Sequence, residues 1–172
     1  MIGRKAKLIW VGLGLIGFLA CQAEKPFTLD DPSLGVKAVF PGEARMAKYS
    51  EDTPFGNIDW FSTAYAPSGR LDVACYVNVG NLPPGTKGGS TSAGVLDSFE
   101  AWMKKRFTGF TRTELPPAQG PGFRYRATVP TGAWVEGIVV VRRGRLHHAQ
   151  ATTGRAGDPR GQAFLSSFEV RK

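Results

Sequence analysis

The chain has 172 residues, of which 42% are hydrophobic, 21% charged and 11% aromatic. That composition excludes a disordered or collagen-like chain, and the length suits one ordinary domain rather than two. The net charge is +8; Arg4, Lys5 and Lys7 precede Cys21 with no acid beside them, so removal of that segment leaves 19 basic against 14 acidic residues, or +5, a mild bias that fits a solvated basic surface and is compatible with anionic partners.

The first element is "IWVGLGLIGFLAC", residues 9–21. Gly12, Gly14 and Gly17 match G-x-G-x-x-G, the dinucleotide fingerprint, and Asp30 and Asp31 stand about where a ribose-binding acid belongs. The helix between them would stop at Pro26, and the chain beyond carries strand patterns rather than repeated βα units. An export signal accounts for more residues. Arg4, Lys5 and Lys7 form a positive start, and an uncharged run of 13 residues follows from Leu8 to Ala20. That run fits a signal peptide and is short of the ~17–25 residues of a membrane-spanning helix. "FLAC", Phe18 to Cys21, resembles the lipobox of bacterial lipoproteins, with Phe18 in place of the usual leucine. The resemblance implies cleavage before Cys21 and lipidation of its thiol. Residues 1–20 are therefore expected to be a lipoprotein signal peptide, with an uncleaved signal-anchor or ordinary secretion as the variants. Two or three acyl chains on Cys21 would hold the protein stably at a membrane. Gln22, by resemblance to enteric-type sorting, implies the outer membrane of an envelope that has two.

Residues 21–33, with Pro26 and Pro32, read as the lipidated cysteine and a tether, and residues 34–172 as a single domain. Val36, Ala38 and Phe40 alternate in a strand stopped by Pro41-Gly42. A hairpin follows, with strands at 58–66 and 70–79 around Pro67-Ser68-Gly69; Val73, Cys75 and Val77 share one face. A loop then leads to the best helix, 92–107, where Val95, Leu96, Phe99, Trp102, Met103 and Phe107 recur at helical spacing. Ser90 or Ser92 can cap it. Further strands are expected at 110–115, 122–129, 133–142 and 145–153, the last two joined by a tight Arg143-Gly144 tip. Asp158-Pro159 reads as an N-cap and first residue of a short helix to 167, before a last strand at 168–170. The fold class expected is α+β: an antiparallel sheet of about six strands with one long and one short helix packed on it.

"VKAVFPGEA", the hairpin, the amphipathic helix and "FLSSFEV" at 164–170 together resemble the PsbP-like superfamily. The resemblance implies an antiparallel sheet sandwiched by helices and an accessory role, stabilising an assembly or docking on a partner. It transfers no functional residue.

No catalytic constellation is visible. His147 and His148 are the only histidines, and as strand neighbours they point to opposite faces, so they do not chelate one metal. "GGSTSAG", 88–94, departs from G-x-S-x-G around Ser90. Glu136 is the one acid in an apolar strand; it is expected to pair with Arg124 or Arg126, and otherwise to be a perturbed acid in a cleft. Cys75 reads as a buried strand residue. The binding candidates are Arg142, Arg143 and Arg145, three guanidinium groups around a tight turn, suited to a phosphate headgroup or an acidic partner. The expectation is a lipid-anchored envelope protein that is not an enzyme, needs no metal or cofactor, binds no nucleic acid, and engages an envelope protein or anionic polymer. The alternative is an envelope hydrolase or redox enzyme with a site near Glu136 or the Ser90 loop.

Overall fold

The computed structural model describes residues 24–67, 73–83, 86 and 92–171. Cys21 and Ser90, and with them the signal segment, lie outside the described residues. Two antiparallel sheets form. The small one is built from β1 (Phe27–Asp31), β2 (Val36–Phe40) and β10 (Glu169–Val170), with β2 in the middle. The large one runs in the order β3 (Arg45–Thr53), β4 (Gly56–Tyr65), β5 (Val73–Asn81), β9 (Arg145–Thr153), β8 (Trp134–Arg142), β7 (Gly122–Thr128), β6 (Thr108–Glu114). Helix α1 (Ser92–Lys104) lies on one face of the large sheet, and α2 (Pro159–Ser167) with the small sheet covers the other.

The α+β class and the antiparallel sheet with two helices are present, but among the described residues ten strands in two sheets replace the about six expected in one. Two of the added strands carry almost no apolar pattern. In β1 only Leu29 is buried, and the strand lies within the stretch expected to be a tether. It forms because all five residues pair antiparallel with β2, Phe27 opposite Phe40 through Asp31 opposite Val36. Strand β3, RMAKYSEDT, has no buried residue at all. Pairing with β4 creates it: Thr53 faces Gly56 across a two-residue turn, and Gly56, at φ +107°, takes a backbone shape closed to other residues.

Alternation decides the rest. Val73, Cys75, Val77 and Val79 of β5 meet Ile138 and Val140 of β8 and Phe164 and Leu165 of α2. Phe40 and Phe164 join the small sheet to α2, ring centres 5.0 Å apart. Burying such a ring is worth roughly 1.5–3 kcal/mol. Cys75 is a free, fully buried strand residue whose thiol burial pushes up to about 12. On the opposite face Val95, Leu96, Phe99 and Met103 of α1 pack on Phe123, Val139, Val141 and Leu146.

Helix α1 ends at Lys104, one turn before the expected 107, because the N–H groups of Arg106 and Phe107 turn back on Met103 O and β6 starts at Thr108. Arg112 of β6 ties the helix to the sheet through Asp97 (2.8 Å), Glu100 (2.7 Å) and Glu114 (2.6 Å). Helix α2 starts as the Asp-Pro pair requires, with the Asp158 carboxylate accepting from Arg160 N and Pro159 in the first turn. No helix among the described residues is long and apolar enough to cross a membrane.

Candidate functional site: an arginine pocket at the β8–β9 tip

The β8–β9 hairpin turns on Arg143 and Gly144, both at positive φ (50° and 70°), the backbone a two-residue hairpin tip needs. Gly144 pays no steric penalty there, whereas Arg143 does. The tip is held in place from β5, since Leu82 N donates to Gly144 O at 2.8 Å. Arg142 and Arg145 face each other in the last pair of the ladder. The Arg145 guanidinium donates to Asn81 Oδ1 and to Ser33 O in the β1–β2 turn. Arg142 Nη1 donates to Val170 O. The β8–β9 tip, the β1–β2 turn and the chain end after β10 thus enclose one pocket of about 340 Å³, to which Arg171 and His147 also contribute.

The pocket's charge is only partly balanced. Arg171 is matched by Asp30, two contacts of 2.7 Å. Among the described residues no carboxylate comes within ion-pair distance of Arg142, Arg143 or Arg145; the partners of Arg142 and Arg145 are carbonyl and amide oxygens. Asp31 is held below the usual carboxylate range, first by the Ser33 hydroxyl and then by the Leu34 N–H, with a smaller pull from Arg145. His147 forms the floor at 3% exposure, and its Nδ1 has no partner. Burial, then Arg145 and Arg142, lower its pKa to about 4, so it is neutral at pH 7. The arrangement offers several guanidinium donors to one anionic group, the geometry in which arginine exceeds lysine.

Sequence reasoning found three of these arginines. It missed Arg171, whose place depends on β10 pairing with β2, and His147, which the strand alternation sends to this side. His148 points to the other face as expected: its Nε2 lies 2.7 Å from the Tyr125 hydroxyl. Glu136 sits in a cleft of about 320 Å³, opposite Arg126 in the β7–β8 ladder. Arg126 Nε meets its Oε1 at 2.8 Å and Gln162 Nε2 donates to its Oε2, so both carboxylate oxygens are engaged. Among the described residues no three His, Cys, Asp or Glu side chains cluster as a metal site.

No protein-family model matches the chain, and no curated protein sequence does. Among solved structures it is similar to the solution structure of cyanobacterial PsbP (CyanoP) from Synechocystis sp. PCC 6803, with a TM-score of 0.52 over 92% of this chain and 98% of that one. The two are 16% identical, so the likeness is one of fold alone: the described residues form an α+β domain with a fold similar to that protein's.

Proposed function

We propose that this protein is a non-catalytic accessory module, held at a membrane of the cell envelope by lipid on Cys21, whose arginine pocket docks an anionic group of an envelope protein or polymer. One observation carries the docking claim: Arg142, Arg143 and Arg145 line one pocket, and among the described residues no carboxylate pairs with them. Guanidinium groups without a paired carboxylate on a fixed hairpin raise the local concentration of anions and bind them through charge-assisted hydrogen bonds. The PsbP-like fold supports an accessory role by analogy alone. The lipobox-like "FLAC" supports the anchor.

Two measurements test the reading. The N-terminal peptide from membrane fractions is expected to begin at a lipid-modified Cys21, and Cys21→Ala to release the chain from the membrane; an unmodified peptide beginning near Met1 in the soluble fraction sinks the anchor. The full chain is expected to bind immobilised polyphosphate and polyglutamate more weakly as salt rises, because screening shortens to about 10 Å at 0.1 M. Arg143→Gln should weaken that binding. Equal binding by the variant removes the pocket from the function.

A further inference from the structure

The large sheet ends on one side in β6 and on the other in β3. The two edges are built differently. Strand β6 is seven residues long, and its pairing slips between Thr108 and Thr111, a bulge of the kind that blunts an edge. Strand β3 pairs with β4 in unbroken register over nine residues, and no described strand lies on its outer side. The two-residue turn closes on Thr53 and Gly56, so Thr53, Glu51, Tyr49 and Ala47 exchange backbone hydrogen bonds with β4. The N–H and C=O groups of Asp52, Ser50, Lys48 and Met46 therefore point outward. No side chain of β3 is buried. Met46 and Tyr49, 70% and 42% exposed, are two of the three exposed large hydrophobic side chains among the described residues. A long, unbulged edge with apolar groups on it is a template for another strand.

The charges of β3 select the strand that fits. Arg45 and Lys48 stand in its first half, Glu51 and Asp52 in its second. Arg106 engages Glu51 at 2.8 Å. Among the described residues Lys48 and Asp52 have no ion-pair partner: Lys48 Nζ lies 4.7 Å over the Phe61 ring, and Asp52 accepts from Asn57 Nδ2 at 3.0 Å. Both project on the face that Ser50 shares, roughly 13 Å apart along the strand, too far to pair with each other. An antiparallel copy of the same strand, centred on Ser50, would set each Lys48 opposite the other copy's Asp52. It would also match the outward N–H and C=O groups of Lys48, Ser50 and Asp52 pair for pair. Tyr49 would face Glu51 of the second copy, and Met46 its Pro54. Centring on Lys48 sets two lysines face to face, and centring on Tyr49 leaves Lys48 opposite Ser50. We propose that β3 pairs with β3 of a second copy of this chain about a two-fold axis at Ser50, joining two seven-stranded sheets across one self-complementary edge.

Sedimentation equilibrium of the full chain tests this, with charge variants and a proline at the edge. The unaltered chain is expected to dimerise reversibly at concentrations below about 1 mM, the range of weak association. Lys48→Asp sets two like-charged pairs across the axis, and so does Asp52→Lys. Each is expected to weaken the dimer at least about ten-fold. The double variant Lys48→Asp with Asp52→Lys restores both pairs with their signs reversed, and is expected to recover most of the lost affinity. Damage to the hairpin itself would not be mended by that swap. Ser50→Pro removes an N–H that β4 does not use, so the fold, followed by circular dichroism, should persist while the dimer is lost. Should that variant not fold, the charge swap still decides. A chain that stays monomeric at about 1 mM overturns the proposal. So does a dimer that Lys48→Asp and Ser50→Pro leave intact, which would place the contact on another surface. Single charge variants that weaken the dimer without recovery in the double variant overturn the pairing about Ser50.

Discussion

Tyr125 stands directly opposite Gly137 in the β7–β8 ladder, and its ring occupies the space a Cβ on Gly137 would need, with Cε1 and Cζ only 2.5 Å from that position. The glycine lets the ring lie flat across the strand, stacked 5.2 Å from Phe110 and with its hydroxyl directed to His148 and Gln150. Gly137→Ala would push the ring aside and break those contacts. Overpacking of this kind costs roughly 1–3 kcal/mol. Urea denaturation should show that loss; a change under about 0.5 kcal/mol, the scale of neutral surface substitutions, would mean that the ring is not confined.

The two histidines predict a specific pH dependence. Burial depresses both pKa values to about 4, helped at His147 by Arg145 and Arg142. In the unfolded chain they titrate near 6.5. Between these values the unfolded state binds more protons, so stability rises with pH there. Their contribution is fully present above about pH 6.5 and is lost as the pH falls toward 4. Each histidine contributes a slope of up to about 1.4 kcal/mol per pH unit within that window. Denaturation midpoints at pH 7, 5.5 and 4.5 check this, and His147→Gln should remove about half of the slope. A flat profile from 7 to 4.5 would show that neither ring is desolvated as the structure has it.

Arg112 joins α1 to β6 through three carboxylates and also lies 4.5 Å over the Phe123 ring. Its side chain is one-fifth exposed, so solvent screens these pairs only in part. Arg112→Ala would leave Glu100, the better buried of its acids, without this partner. The expected cost is on the order of 1–3 kcal/mol, reduced in high salt. Equal stability of variant and parent at 0.05 M salt would make the cluster a surface feature without structural weight.

The legible parts of the fold were those with a periodic apolar signal. The β5 face of Val73, Cys75 and Val77, the α1 stripe and the Asp158-Pro159 cap all follow from local rules. Strands β1 and β3 were not legible, because their mostly polar and exposed side chains carry no helical or strand period and their shape comes from pairing with β2 and β4. The arginine tip was legible from its turn chemistry, but the pocket around it was not. Arg171 reaches it only through the β10–β2 register, a contact more than a hundred residues long in sequence.

Arg143 gives the sharpest separation of stability from function. It is the non-glycine residue at positive φ among the described residues, a conformation that costs a side chain of its kind roughly 1 kcal/mol and that asparagine tolerates better. Asn-Gly is also the preferred pair for this tip. Strain retained at a tip that lines a basic pocket is the pattern expected where a side chain is kept for binding. Arg143→Asn should therefore stabilise the domain by about 0.5–1 kcal/mol while weakening polyphosphate binding. Thermal denaturation and the polyanion titration, run on the same variant, read the two effects independently. A variant that is more stable and binds as well as the parent would show that Arg143 is a solubilising tip residue. One that loses both would show that the side chain supports the hairpin, through contacts other than the anion it was assigned to hold.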